Sequence, residues 1–371
     1  MTRRRLVVVA GARPNFMKVA PLLRALSNTE FEATLVHTGQ HYSPEMSDAF
    51  FRDLRIPPPA FHLGAGGGSH AQQTAEVMSR FEPVLEKVRP EWTLVVGDVN
   101  STLACALVAK KLHCQLAHIE AGLRSFDRRM PEEINRIAVD AISDLHFTTE
   151  QSANDNLARE GADPGRVHMV GNLMIDSLLE CRDRSRQSAI LEHLNCEAKS
   201  YAVLTLHRPE NVDCSAALRE LWCALELVAD HLPLMFPVHP RTAKALLAAG
   251  LKHPRVRFLE PLGYLDFMRL VDGAAAVLTD SGGLQEETTI LGVPCLTLRD
   301  NTERPITITH GTNRLAGTAA DRIAAAWRSL RRDPPRPLSA PPGWDGHAAE
   351  RAVRVLASCA PGDAGSRFRG Q

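Results

Sequence analysis

Ala275-Ala276-Val277-Leu278-Thr279-Asp280-Ser281-Gly282-Gly283-Leu284-Gln285-Glu286-Glu287 reads as a short apolar strand running through Ser-Gly-Gly straight into a helix. A short aliphatic run followed by a longer helical pattern is the signature of a βαβ unit, whose parallel strands are buried on both faces. The same alternation extends outward from this stretch. In the second half, strands are read at 202–206, 233–238, 256–259 and 294–298, with helices near 215–231, 241–249, 264–271, 284–291 and 321–330. In the first half, strands at 6–10, 33–38, 93–97, 115–119, 144–148 and 167–170 alternate with helices near 17–26, 45–54, 71–88, 102–112, 132–143 and 151–160. A helix near 174–181 is followed by a charged stretch, 182–200, without strand pattern. The expected fold is α/β: two Rossmann-like doubly wound domains facing a central cleft, at 1–180 and 200–335. A last helix at 346–360, reached through the Pro-rich 334–342, is expected to pack back on the first domain.

Composition narrows the function. The chain has 371 residues, long enough for two to three domains at roughly 150 residues each. Lys+Arg and Asp+Glu are both 43, so no basic excess points to nucleic acid, and 5% aromatic residues make a base-stacking platform a poor reading. No apolar run approaches the roughly 18 residues of a membrane span. The basic start Met1-Thr2-Arg3-Arg4-Arg5 is followed by too short an apolar stretch for a secretory signal. Eight cysteines without a C-x-x-C pair suggest a reducing, cytoplasmic setting.

In open parallel sheets ligands bind beyond the carboxyl ends of the strands, and the unusual residues of this chain gather there. Gly11-Ala12-Arg13-Pro14-Asn15-Phe16-Met17-Lys18 follows the first strand. Arg13 and Lys18 read either as ligands for anionic oxygens near a helix N-terminus or as two solvated cations. Neither this stretch nor the Gly-rich 64–68 is a P-loop or dinucleotide fingerprint, and 64–68 reads as a mobile loop. At Ser281-Gly282-Gly283 free N–H groups and a helix dipole suit a diphosphate, with Glu287 one turn on for a ribose hydroxyl pair. The plainer reading makes Ser281 an N-cap, Asp280 a turn residue and Glu287 a surface charge.

Asp98 and Glu120 end adjacent strands and converge on one crevice. Glu132 and Glu133 open a helix, where acids are ordinary dipole compensation. His207 ends the first strand of the second domain, and His239 lies in Pro-Val-His-Pro. No H-E-x-x-H, Cys/His spacing or Asp-x-Asp supports a metal, and His37 and His41 do not share a helical face.

Taken in order, Gly11-Ala12-Arg13-Pro14 to Lys18, His37-Thr38-Gly39-Gln40-His41, Gly97-Asp98, His118-Ile119-Glu120-Ala121-Gly122-Leu123-Arg124, Pro131-Glu132-Glu133-Ile134-Asn135-Arg136, Leu206-His207-Arg208-Pro209-Glu210-Asn211, Pro237-Val238-His239-Pro240, Asp280-Ser281-Gly282-Gly283 to Glu287 and Arg299 to Arg304-Pro305 form one motif series. The chain resembles the non-hydrolysing UDP-N-acetylglucosamine 2-epimerases over about residues 5–320. The resemblance implies a GT-B-like fold, a UDP-sugar substrate, a homodimer, and no cofactor or metal. It matches Asp98, Glu120, Glu132 and His207 to catalytic positions. Arg13, Lys18, Ser281, Gly282, Gly283, Glu287 and Arg314 match contacts to UDP or sugar, and Phe267 a position near the uracil. Gln40, Glu133, Arg208 and His239 match a second, allosteric substrate site of some relatives. Ser43 and Gln72-Gln73 depart from that site's pattern, and Gly97 stands where many relatives have His.

The chemistry implied is loss of UDP from C1 as C2 is deprotonated, giving a glycal, then reprotonation from the opposite face. Rival readings are a GT-B glycosyltransferase, a hydrolysing epimerase releasing N-acetylmannosamine, an epimerase of a UDP-2,3-diacetamido uronic acid, and a silent nucleotide-sugar sensor. The last would not need Asp98 and Glu120.

Overall fold

The computed structural model describes residues 3–39, 50–238, 240–335 and 339–360. The chain divides into two compact units, one running to Glu180 and taking in the segment from Pro342, the other spanning Cys181–Pro341.

The first unit is built on a seven-stranded parallel sheet ordered β3-β2-β1-β4-β5-β6-β7. Its strands are β1 Arg4–Ala10, β2 Phe31–His37, β3 Phe61–His62, β4 Trp92–Val96, β5 Gln115–Ile119, β6 Leu145–Thr148 and β7 Val167–Met169. The second unit has a six-stranded parallel sheet ordered β10-β9-β8-β11-β12-β13. Here β8 is Ala202–Thr205, β9 Leu234–Pro237, β10 Val256–Leu259, β11 Ala276–Thr279, β12 Cys295–Thr297 and β13 Asn313–Leu315. Both sheets are doubly wound, and strand order reverses between β1 and β4 and again between β8 and β11. Those reversals open crevices at the strand ends that carry Gly11, Asp98, His207 and Asp280.

Side-chain alternation shows why continuous apolar runs were needed. Leu204, Leu278 and Leu296 join one buried cluster with Trp222, Val228 and Trp327. Their neighbours Val203, Val277 and Cys295 join another with Tyr201, Met235 and Leu270. Each strand therefore buries both faces, at about 25 cal/mol per Å² of apolar surface.

Three local expectations are corrected. The edge strands β3 and β13 were not anticipated, because two or three residues carry no periodic pattern. The helix Leu173–Arg186 runs past Cys181, and Ile190–His193 forms a further turn within the charged stretch. Only Ile190 and Leu191 of that turn are buried, which left no helical stripe to read. The Gly-rich loop is anchored at its start: Leu63 N donates to His37 O at 2.8 Å and Ala65 N to Thr38 O at 2.8 Å, with Ala65 fully buried. The helix expected near 45–54 falls largely outside the described residues.

The last helix, Ala348–Ser358, belongs to the first unit. The Asp176 carboxylate accepts from Ala348 N at 3.1 Å and Ala349 N at 2.8 Å, satisfying orphan donors of its first turn. Arg4 donates to Cys359 O at 3.0 Å, and Trp344 Nε1 to Thr149 O at 3.0 Å.

One buried base at the end of β2 makes stability pH-dependent. His37 is 1% exposed and stacks on His62 at 4.5 Å, and burial, aided by His62, lowers its pKa to about 4. The unfolded chain takes up this proton near pH 6.5, whereas the native state does not until about 4. Stability is therefore highest above 6.5 and falls as pH drops through that window, by ~3 kcal/mol at most. Thermal melts from pH 7 to 4 should show this decline, and His37→Phe should flatten it. An unchanged slope in the variant would assign the decline to other groups.

Candidate active site

The turn after β1 is held by a residue that sequence reading quoted but did not single out. Asn15 Oδ1 accepts from Gly11 N at 3.1 Å and Ala12 N at 2.8 Å, while its Nδ2 donates to Val96 O at 3.0 Å. This locks the start of the helix Arg13–Ser27 to the end of β4. On the next turn Lys18, 5% exposed, forms an ion pair with Glu120, 6% exposed. Glu120 has φ +72°, a left-handed conformation that is costly for a side chain other than glycine. The cost is met by Phe147 O, which accepts from Glu120 N at 3.0 Å and Ala121 N at 3.1 Å. Strain of this kind at a strand end is a mark of functional sites.

Asp98 lies two residues past the end of β4 and remains partly open. Its Oδ2 accepts from Arg136 Nε at 3.0 Å and Nη2 at 2.8 Å, and its carbonyl accepts from Asn135 Nδ2 at 2.8 Å. Arg136 and Asn135 lie on the helix Pro131–Ile142, which also presents a half-buried Glu132 in its first turn. The structure thus brings Asp98, Glu120 and the helix of Glu132 to one edge of the first sheet. Glu133 is different. It is 1% exposed, and its carboxylate accepts from Ser125 N at 2.9 Å, Ser125 Oγ at 3.0 Å, Phe126 N at 2.9 Å and Arg136 Nη1 at 2.5 Å. Those donors occupy it in holding the loop and aiming Arg136, so its match to a second substrate site finds no open carboxylate.

Beneath these acids lies a buried pair. His118 on β5 has Nδ1 2.6 Å from Asp140 Oδ1, and its Nε2 donates to Gly97 O at 2.8 Å. Asp140 Oδ2 accepts from Gly122 N at 3.0 Å and meets Arg124 Nη2 at 2.7 Å. Burial alone would raise the Asp140 pKa, but the charges of His118 and Arg124 outweigh it and hold the carboxyl below its usual range.

In the second unit Asp280, fully buried, accepts from His207 N at 3.0 Å, Arg208 N at 2.9 Å and Asn211 Nδ2 at 3.1 Å. Its Oδ1 also lies 2.8 Å from His207 Nδ1, so Asp280 orients the half-exposed ring and leaves Nε2 for a ligand. Burial opposes ionisation of Asp280, but the His207 contacts prevail and lower its pKa. Asp280 is more than a turn residue.

The Ser281-Gly282-Gly283 turn opens the helix Gly282–Leu291, and the Ser281 side chain makes no capping bond. Ser281 therefore holds the N-cap position without the side-chain bond that a plain N-cap makes. A Cβ at Gly282 would sit 2.6 Å from Arg304 Nη1 and 2.7 Å from Glu303 Oε1, so only glycine lets this cation lie directly against the turn. Arg304 also pairs with Glu286 at 2.8 Å. Arg304 is thus a cation at the anion-suited turn that sequence reading placed in a motif but gave no role.

Glu287 is buried rather than a surface charge, and it accepts from Tyr264 Oη at 3.2 Å. Phe267 lies on the helix Tyr264–Asp272, partly buried against the cluster of Leu191 and Leu270. Arg208 Nε donates to Asp280 O at 3.2 Å. Arg314 is not drawn to this turn. Its guanidinium donates to Ser329 Oγ at 3.1 Å and Asp333 O at 2.7 Å, capping the far end of the helix Ala320–Arg332. Strand alternation explains it: Asn313 faces Gln285 at 3.0 Å, so Arg314 points the other way. Gln40 and His239 lie outside the described residues, as does the side chain of Arg13. Among the described residues no cluster of His, Cys, Asp or Glu is arranged to hold a metal ion, and no helix is long and apolar enough to cross a membrane.

A family model described as UDP-N-acetylglucosamine 2-epimerase matches residues 24–357. The chain is 40% identical over 365 residues to a Methanocaldococcus jannaschii UDP-N-acetylglucosamine 2-epimerase, covering 95% of this chain and 98% of that protein. It is 41% identical over 329 residues to a Pseudomonas aeruginosa UDP-2,3-diacetamido-2,3-dideoxy-D-glucuronate 2-epimerase, covering 88% and 92%. The crystal structure of the Methanocaldococcus jannaschii UDP-GlcNAc 2-epimerase in complex with UDP-GlcNAc and UDP matches with a TM-score of 0.88 at 39% identity, over 95% of this chain and 99% of that one. The fold is accordingly GT-B-like. By its motifs, its fold and this likeness along nearly its whole length, the chain belongs to the UDP-N-acetylglucosamine 2-epimerase family.

Proposed function

We propose that this chain is a non-hydrolysing 2-epimerase that interconverts UDP-N-acetylglucosamine and UDP-N-acetylmannosamine. The observation that carries the reading is the pairing of Asp98 and Glu120 at adjacent strand ends, each held by its own cation, Arg136 and Lys18. Inversion at C2 needs a base on one face and an acid on the other, and because the hydrogen is not next to a carbonyl, C2 is deprotonated only as UDP leaves C1. In the elimination the C2–H bond gives its electron pair to a C1=C2 double bond, and the C1–O bond leaves with UDP. A carboxylate takes the proton. Reprotonation of C2 from the opposite face and return of UDP to C1 complete the inversion. Asp98, Glu120 and Glu132 supply the proton carriers.

The diphosphate is assigned to the turn at Ser281, Gly282 and Gly283, supported by Arg304 and His207, with Glu287 on the ribose and Phe267 near the uracil. Arg13 and Lys18 are assigned to UDP or sugar contacts by their match to the family's motif. The protein acts in the cytoplasm as a homodimer, without cofactor. A second reading, a 2-epimerase of a UDP-2,3-diacetamido uronic acid, is favoured by the comparable 41% identity to the Pseudomonas aeruginosa enzyme.

Incubation with each UDP-sugar in D2O, followed at C2 by NMR, tests both readings. A UDP-linked manno product with deuterium at C2 is expected from UDP-N-acetylglucosamine. Free N-acetylmannosamine would make the enzyme hydrolysing, and exchange only with the uronic acid substrate would select the second reading. His207→Ala should lower kcat roughly 10²-fold with the fold intact, through loss of a donor at the leaving diphosphate. Wild-type kcat in that variant would remove His207 from the site.

A further inference from the structure

We infer that His118 is a positioning residue, held as a buried imidazolium by Asp140 and Gly97, that aligns the carboxylates of the proposed epimerase site. The inference rests on that functional reading. His118 is fully buried, and its hydrogen bonds go to Asp140 and Gly97 rather than to a proposed substrate ligand. Its two partners are both acceptors. The Gly97 carbonyl can only accept, so Nε2 carries a proton. The Asp140 carboxylate, ionised against Arg124, also only accepts, so Nδ1 carries one too. Local charge agrees. Arg124 meets Asp140 at 2.7 Å and Glu160 at 2.6 Å, so a charged His118 brings Asp140, Glu160, Arg124 and His118 to neutrality.

The placement gives this pair its role. Gly97 O belongs to the residue before Asp98, so the Nε2 bond fixes the backbone from which Asp98 projects. Glu120 lies two residues beyond His118 on the same strand end. Gly122 N, which donates to the other Asp140 oxygen at 3.0 Å, pins the turn that keeps Glu120 in its left-handed conformation. Asp140 itself rides on the helix that begins with Pro131 and Glu132. One buried ion pair thus ties together the segments bearing Asp98, Glu120 and Glu132, whose spacing decides whether a proton is taken and returned on opposite faces of C2. A displacement of about 1 Å at such a site costs roughly 10²-fold in rate.

The test uses the full-length enzyme. In wild type, 15N NMR of labelled histidine should show both His118 ring nitrogens protonated. His118→Gln and Asp140→Asn should each lower kcat about 10²-fold. KM and UDP affinity should stay within about threefold, and both limbs of the pH–rate profile should keep their positions, because the proton carriers remain. Asp140→Asn nearly preserves shape and serves if His118→Gln does not fold. A single protonated ring nitrogen, or wild-type kcat in either folded variant, overturns the inference. So does loss of a limb of the pH profile, which would make His118 an acid or base itself. If wild type fails to turn over any UDP-sugar, the epimerase reading falls, while the ring NMR still decides the imidazolium.

Discussion

Asp98→Asn should lower kcat by roughly 10²–10⁴-fold while UDP affinity and melting temperature stay close to wild type, the span that a general acid or base contributes. The structure makes this the cleaner of the two carboxylate tests. Arg136, the partner of Asp98, is also held by Glu133 at 2.5 Å, so removing one charge does not strand the guanidinium. Glu120→Gln should lose turnover to the same degree but also lose stability. Its partner Lys18 is buried, and breaking a buried pair from one side costs about 3–5 kcal/mol. Measuring kcat by NMR, UDP binding by calorimetry and melting by scanning calorimetry separates the two cases. Loss of UDP binding in Asp98→Asn, or near-normal turnover, would mean that Asp98 carries no proton.

The second large effect concerns stability. Gly171 has φ +91°, and a Cβ there would lie 1.9 Å from Gly343 O and 2.9 Å from Arg351 Nη2. Neither the backbone oxygen nor the neighbouring chain can yield cheaply. Arg351 already binds Gly343 O at 2.7 Å and Val170 O at 2.6 Å, clamping the last helix to the first unit. Gly171→Ala should therefore combine a left-handed penalty of ~1–2 kcal/mol with overpacking of ~1–3 kcal/mol. That amounts to a drop in melting temperature of roughly 5–15 °C for a unit of this size. Gly67 is the control: its φ is +93°, yet nothing lies within 4 Å of its Cβ position. Gly67→Ala should show the conformational penalty alone. Equal shifts in the two variants would show that the Gly171–Gly343 approach is not what holds the C-terminal segment.

The cation assignments show where local pattern stops being informative. Arg304 lies in the polar stretch after β12 and Arg314 within the three-residue β13, too short for a pattern that tells their directions apart. Arg314 turned to Ser329 and Asp333, Arg304 to Glu286 and the Gly282 turn. Glu132 and Glu133 are adjacent acids at one helix start, and the helical rotation of ~100° per residue left the first half-open and buried the second.

From the sequence alone came the features that depend on neighbours along the chain. Continuous apolar runs specified strands buried on both faces, and the helical patterns between them specified parallel crossovers. The strand-to-turn junctions located Asp98, Glu120, His207 and Ser281-Gly282-Gly283 at carboxyl ends, where backbone groups are free to meet a ligand. Tertiary structure decided everything set by partners distant in the chain. It paired Lys18 with Glu120, closed the His118–Asp140 bond under Gly97, gave Asp280 to His207, and added β3 and β13 at the sheet edges. The physical reason is one of range. Hydrophobic periodicity records how each residue meets its local layer, whereas an ion pair or a buried hydrogen bond depends on which groups arrive opposite one another once the layers are packed.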